Sequence, residues 1–139
     1  MQGALAFQKG LGCVHSLSHS LGGADPRLHH GTLNALFLPA VVKFNASAHS
    51  MLRDRRLARM AHAMGLGARA SEDDTGEAVA DAIRQMNQRL GLPSGLAELG
   101  VTPQHFDRII DGAMADHCHK TNPRLATRAD YVAMLETSM

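Results

Sequence analysis

The chain contains 139 residues, 19% of them charged, and its 14 Lys and Arg residues nearly balance its 13 Asp and Glu residues. A chain of this length forms one domain that buries about two-thirds of its unfolded surface. The formal net charge of +1 gives no field that would attract nucleic acid or an anionic membrane. The longest apolar run, residues 35–42, is much shorter than a bilayer span. We therefore expect neither a nucleic-acid-binding protein nor a membrane protein.

The cysteine content favours a reducing compartment. Cys13 and Cys118 are the two cysteines of the chain, and their spacing matches neither a disulfide framework nor a CxxC motif. The first residues also lack the basic, apolar and small-residue order of a signal peptide. We therefore expect a cytoplasmic protein.

The composition predicts the fold class. Aromatic residues make up 4% of the chain and tryptophan is absent, whereas eight residues are methionine. Small and flexible side chains of this kind favour packed helices over sheets. No stretch alternates apolar and polar residues for long enough to predict a strand. The sequence thus predicts an all-α protein, a helical bundle of five to seven helices.

Two helices are predicted in the first third of the chain. The first covers residues 4–21 and is ended by the glycines at 22–23. The second covers residues 31–44, and Pro39 within it predicts a kink or a local irregularity.

Four more helices are predicted from apolar periodicity and cap residues. They cover residues 48–64 after Ser47, residues from 71 or 75 to 90, residues 104–117 and residues 128–136, and a single turn is predicted at residues 96–99. In the helix that ends at residue 90, the predicted inward stripe is Val79, Ile83, Met86 and Leu90.

Four histidines surround the loop between the first two helices. His15 and His19 are four residues apart, so their rings lie on one face of a helix. After the loop, His29 and His30 stand directly before the second helix. Imidazole nitrogens from adjoining helices suit a transition-metal site, but a hydrogen-bonded histidine pair in a polar groove fits the same spacing. Spacing alone leaves both interpretations open.

A second group of potential ligands, Asp116, His117, Cys118 and His119, lies near the end of the chain. Adjacent residues of a helix point to different faces, and no second cluster stands at zinc-finger spacing. The favoured interpretation is a helix end whose histidines lie near the negative end of the helix dipole.

Three separated strings resemble one family in the same order. They are AFQKGLGCVHSLSHSLGG, HHGTLNALFLPAVVKFN and DHCHKTNPR. They resemble the signature of the iron-containing alcohol dehydrogenases, and together they span nearly the whole chain. The resemblance covers only the C-terminal half of such an enzyme. It implies the helical, dehydroquinate synthase-like fold of that half, as one domain over residues 1–139.

The resemblance also implies roles for individual residues. In the family an aspartate and three histidines hold the metal, and the match makes His15 and His30 two of these ligands. His19 matches the histidine near the point of hydride transfer, where it contacts the nicotinamide cofactor and acts in catalysis. Phe7 and Cys118 match residues of the substrate pocket. The implied metal is Fe(II), with Zn(II) as the alternative, and the implied substrate is a small alcohol or aldehyde.

One difference from the family affects the ligand assignment. The interval from His19 to the histidine before Gly31 is one residue longer than in the family pattern, so His29 is the alternative ligand. His30 is favoured because it directly precedes Gly31, where the second helix begins.

No GxGxxG turn and no strand–helix alternation precede these strings. By resemblance, NAD or NADP is bound mainly by an N-terminal nucleotide domain that this chain lacks. We therefore expect the chain alone to be inactive and to self-associate through the surface that this domain would cover. The alternative is a stand-alone helical binding or structural module that has lost the chemistry.

Overall fold

The computed structural model describes Leu5 and residues 7–139, and this part of the chain contains seven α-helices and no strand. The α-helices are α1 (Gly12–Ala24), α2 (His30–Asn45), α3 (His49–Arg53), α4 (Arg56–Ala63), α5 (Glu72–Arg89), α6 (Phe106–Ala115) and α7 (Arg128–Thr137). Short 3-10 helices lie at Leu96–Leu99, Pro103–His105 and His117–Thr121. The all-α prediction is confirmed. Among the described residues, no helix has both the length and the apolar character needed to cross a membrane.

Helix α2 lies between two hydrophobic cores. On one side, α2 packs with α1 and α7, and the first core also includes α6; it contains Leu17, Leu33, Phe37, Ile109, Ile110, Tyr131 and Leu135. On the opposite side, α2 packs with α5, and the second core also includes α3 and α4; it contains Val42, Met51, Leu57, Ala61, Val79 and Ile83. Because both cores share α2, the residues at its N-terminus are held between well-packed elements.

Helix α2 continues through Pro39 without a break. Proline has no N–H, so the carbonyl of Ala35, four residues earlier, loses its helical donor. The side-chain amide of Asn87 on α5 donates to that carbonyl at 2.9 Å. Asn87 therefore faces α2, whereas Met86 and Leu90, predicted to face inward, are 42% and 67% exposed. The prediction for Met86 and Leu90 is wrong, because Asn87 takes the position that faces α2 and hydrogen-bonds to the carbonyl of Ala35.

The helix predicted over residues 48–64 is two helices, α3 and α4. Arg55 lies between them with φ +47°, in the left-handed region. Met51 and Leu57 are both buried, although residues six apart lie about 120° apart around a straight helix. The break at Arg55 turns both side chains into the second core. Asp54 pairs with Arg53 and Arg56 at this turn, which leaves the arginines on the solvent side.

Helix α1 differs from its prediction at both ends. Residues 4 and 6 of the helix predicted over residues 4–21 lie outside the described residues. The chain is not helical over residues 8–11, and α1 starts at Gly12. Helix α1 passes through Gly22 and Gly23 and ends at Ala24. The C-cap residue, Asp25, is extended, a conformation that is favoured because Pro26 follows.

The start of α1 is capped by a distant segment of the chain. The N–H of Cys13 donates to Asn122 Oδ1 at 3.1 Å, and the N–H of Gly12 donates to Thr121 Oγ1 at 3.4 Å. Gly12 has φ +69°, and a Cβ there would lie 2.6 Å from Asn122 Oδ1. Asn122 also exchanges hydrogen bonds with Asn45, at the end of α2. The segment around Asn122 therefore fixes α1 relative to α2.

Candidate functional site

Three histidine rings meet where α1 packs against the start of α2. The ring centres of His15 and His19 are 5.6 Å apart, and the ring of His30 lies 5.3 Å from each. His29 is the N-cap of α2, and its ring lies against Gly31, with Cε1 3.1 Å from where a Cβ would be. The geometry therefore brings His30, and not His29, to the two histidines of α1.

Asn34 shows where the histidine nitrogens converge. It lies one turn after His30 on α2, and its side-chain nitrogen is 3.0 Å from Nε2 of His30 and 3.3 Å from Nε2 of His15. Two imidazole nitrogens within hydrogen-bonding distance of one atom also suit a shared cation. In the same cluster, Nδ1 of His15 and Oδ1 of Asn34 are buried without a hydrogen-bond partner. The residues present therefore fit a metal ion.

The electrostatics of this cluster favour a neutral His15. Burial lowers the pKa of His15, and the neighbouring His30 and His19 lower it further, while Asp116 acts in the opposite direction. Only the neutral imidazole has a lone pair for a metal. His15 is thus in the ligand form at neutral pH.

His19 is oriented by Asp116, which follows α6. Nδ1 of His19 lies 3.0 Å from Oδ2 of Asp116, and Oδ1 of Asp116 accepts the N–H of Cys118 at 2.7 Å. Burial opposes the charge on Asp116, but these hydrogen bonds outweigh it and lower the pKa of the carboxyl group. A carboxylate only accepts hydrogen bonds, so Nδ1 of His19 carries the proton and Nε2 is the acceptor.

Cys118 lies beside this pair, and its side chain is fully buried. Burial and the neighbouring Asp116 raise the pKa of the thiol to about 11, so the group is protonated at neutral pH. A protonated thiol is a poor nucleophile, which agrees with the expectation that Cys118 is not a nucleophile. The second predicted pocket residue, Phe7, has a side chain that is 66% exposed, so this chain does not enclose it.

Residues 116–119 are not the end of a regular helix as predicted. Asp116 is the N-cap of the 3-10 helix His117–Thr121, and its side chain accepts from Cys118. The ring of His117 lies 6.3 Å from that of His19, whereas His119 is buried and its Nδ1 lies 3.0 Å from the hydroxyl of Tyr131. The tight turn separates the two histidines, so only His117 reaches the site.

Sequence reasoning missed Asn34 and Asp116 as members of the site. Asn34 is four residues after His30, so both lie on one face of α2, and this spacing could have revealed it. Asp116 stands in the DHCHKTNPR string, but its contact with His19 joins residues 97 positions apart. Only the packing of α1 against α6 brings that pair together.

Comparison with known proteins assigns this chain to a family. The pattern described as "Fe-containing alcohol dehydrogenase family, C-terminal" matches residues 2–139. The chain belongs to that family. The resemblance of the three sequence strings is thereby confirmed, and the helical domain corresponds to the C-terminal region of that family.

Relatives with named activities support the assignment to the Fe-containing alcohol dehydrogenases. The chain is 57% identical to a 4-hydroxybutyrate dehydrogenase of Cupriavidus necator, over all of this chain and 36% of that protein. It is 33% identical to an NAD-dependent methanol dehydrogenase of Bacillus methanolicus, over all of this chain and 35% of that protein. The chain therefore spans about a third of the length of these relatives.

A solved structure agrees with the helical arrangement. The alcohol dehydrogenase from Oenococcus oeni matches with a TM-score of 0.82 and 31% identity, over 93% of this chain and 33% of that chain. The fold of the bundle is thus that of a region of an alcohol dehydrogenase.

Proposed function

We propose that this chain is the metal-binding part of an iron-containing, NAD(P)-dependent alcohol dehydrogenase that interconverts a small alcohol and its aldehyde. The observation that carries this proposal is the convergence of His15 and His30 on one point, marked by the side-chain nitrogen of Asn34. His19, held by Asp116, lies beside that point.

In this proposal His15 and His30 are two ligands of the metal. Both are imidazoles, which suit Fe(II) and also Zn(II), and burial keeps His15 neutral. The remaining ligands, an aspartate and a histidine by resemblance, come from the N-terminal part of the enzyme. A divalent cation held there supplies Lewis acidity to the substrate hydroxyl.

His19 lies beside the reacting carbon and the nicotinamide in this proposal. Its Nδ1 donates to Asp116, so the ring cannot rotate freely and its Nε2 can accept a hydrogen bond from the substrate side. Cys118 and Phe7 line the substrate pocket. Because Phe7 is largely exposed here, its part of the pocket needs a further segment of the enzyme to enclose it.

The partner and the substrate follow from the relatives. A nucleotide-binding part outside this chain supplies NAD or NADP, so the chain alone is inactive. Both relatives described above are named for substrates with a primary hydroxyl group, 4-hydroxybutyrate and methanol. The higher identity to the first makes 4-hydroxybutyrate the first substrate to test.

The experiment is a chimera in which this chain replaces the segment it matches in the Cupriavidus necator relative. We expect NAD(P)-dependent oxidation of 4-hydroxybutyrate that chelators abolish. His15→Ala and His30→Ala each abolish turnover, while His19→Ala retains the metal and slows the reaction. Equal and mild effects of all three substitutions would show that the histidines are structural and would favour the stand-alone helical module.

A further inference from the structure

A second group of metal-ligating side chains lies next to the His15 and His30 pair. His19, Asp116 and Cys118 each contribute one donor atom, and these atoms all lie within 4.8 Å of one another. Donors around a tetrahedral zinc ion are separated by about 3.5 Å, because their bonds to the ion are about 2.0–2.3 Å long. Small side-chain rotations are therefore enough to bring the three donors to one ion.

The backbone already holds these three residues together. Ser20 on α1 donates to the carbonyl of Ile109 on α6 at 2.8 Å. Gly112 allows this close approach, since a Cβ there would lie 2.3 Å from Ser20 Oγ. Asp116 follows directly after α6 and is 17% exposed at its side chain, so the α1–α6 contact brings its carboxylate to His19.

His117 offers a fourth donor on the open side of the cluster. Its Nε2 is 3.4 Å from Cys118 Sγ, and its Nδ1 is 3.7 Å from Asp116 Oδ1. The side chain is 83% exposed, so the ring can turn without displacing packed groups. A turn of this ring towards the cluster adds a second imidazole to the three donors.

We propose that His19, Asp116, Cys118 and His117 form a binding site for a thiophilic divalent cation, with Zn²⁺ as the physiological candidate. The presence of sulfur distinguishes this site from the His15 and His30 pair, because thiolate selects zinc over hard cations. All four ligands belong to this chain, whereas the histidine pair needs ligands from elsewhere. Cation binding therefore needs no ligand from outside this chain, although the site shares His19 with the proposed dehydrogenase activity.

Binding is coupled to the loss of one proton. The Cys118 thiol loses its proton to solvent as the sulfur–metal bond forms, since a coordinating thiol is deprotonated. The proton on Nδ1 of His19 is replaced by one on Nε2, so the imidazole stays neutral. The net reaction releases one proton per cation and involves no oxidation or reduction.

Occupation of this site has a consequence for the assembled enzyme. A cation that binds His19 removes this side chain from the substrate, so excess Zn²⁺ inhibits the enzyme. The two sites are neighbours, and repulsion between two dications opposes their simultaneous occupation.

The test is a titration of the 139-residue chain with Co²⁺ as the probe, followed by competition with Zn²⁺. We expect one equivalent of Co²⁺ to produce a thiolate-to-cobalt charge-transfer absorption band that Zn²⁺ removes. Cys118→Ser abolishes the band, and Asp116→Asn weakens Co²⁺ binding by at least about tenfold. His117→Ala weakens binding less, because its ring must first turn towards the ion.

Two controls keep the result specific. Cys13→Ser, at the other buried cysteine, retains the band, and so does the His15→Ala/His30→Ala double variant. Absence of the band in the wild-type chain would overturn the proposal, as would its persistence in Cys118→Ser. Loss of the band in Cys13→Ser, with helical content unchanged by circular dichroism, would also overturn it. Failure of the dehydrogenase assay on the chimera would leave these outcomes unaffected.

Discussion

The two faces of α1 differ in how completely their polar groups are paired. On one face, Ser16 donates to the carbonyl of Cys13, so the hydroxyl of Tyr131 must donate to Ser16 and Nδ1 of His119 must donate to Tyr131. All four residues are buried. At the other face, His15 of α1 and the neighbouring Asn34 of α2 each keep one buried polar atom without a partner. One helix thus carries a complete hydrogen-bond network and an incomplete one.

This difference suggests that the paired face has a structural role and the histidine face a functional one. A complete buried network fixes the rotation of α1 against α7, because any other rotation would leave several polar groups unpaired. An incomplete cluster costs stability, and proteins retain such clusters mainly at functional sites. The Tyr131 network therefore fixes the direction in which the histidine face of α1 points. The unpaired groups of that face are free to bind a ligand.

The largest expected effect is on the paired face. Tyr131→Ala removes a fully buried ring and two side-chain hydrogen bonds, and we expect it to lower the free energy of unfolding by about 3–5 kcal/mol. Urea denaturation of the chain measures this change. The half-buried neighbour Val132 is the matched control on α7. An equal loss of unfolding free energy for Val132→Ala would show that the Tyr131 network adds no stability beyond that of an ordinary apolar contact.

A smaller effect is expected when only the hydroxyl of that network is removed. Tyr131→Phe leaves Ser16 and His119 without their partner, and we expect a loss of about 1–3 kcal/mol. Adding Ser16→Ala removes one of the unpaired groups, so the double variant should lose less than the sum of the two single changes. Simple additivity would argue against a connected network.

The histidine face should respond in the opposite way. His15→Leu removes a buried nitrogen that has no partner, so we expect the stability to change by less than about 1 kcal/mol or to rise. Leu17→Ala, on the buried side of the same helix, should cost about 2–5 kcal/mol. A loss of the same size for both substitutions would remove the distinction between the two faces.

The smallest expected effect is a pH dependence that arises at the histidine face. The pKa of His15 is lowered in the folded chain, so the unfolded chain binds more protons just below the ordinary value of 6.5. Stability from this group is present above that value and is lost as the pH falls. Asp116, whose pKa is also lowered, adds a loss of the same sign below its ordinary value of 3.8.

Denaturation midpoints between pH 7.5 and 5.5 isolate the histidine part of this dependence. We expect the slope to be shallower in His15→Leu than in the wild type. An unchanged slope would mean that His15 has the same pKa in the folded and unfolded chain.

The sequence predicted the helical class from apolar periodicity, and the i, i+4 spacing placed His15 and His19 on one face of a helix. The choice of His30 over His29 came from the family resemblance, because spacing does not distinguish two adjacent residues before α2. The sequence could not predict the exposure of Met86, since the need for Asn87 arises from Pro39 on another helix. It also missed the break at Arg55, which depends on how α3 and α4 meet a shared core. The contact of Asp116 with His19 was missed for the same reason, because it depends on tertiary packing.

The most direct test of the central claim compares two adjacent histidines at the start of α2. In the chimeric dehydrogenase, metal content is measured for His30→Ala and for the matched control His29→Ala. The ring of His30 lies with His15 and His19, whereas that of His29 lies against Gly31. We predict loss of the metal in His30→Ala and its retention in His29→Ala. Retention in His30→Ala with loss in His29→Ala would contradict the account.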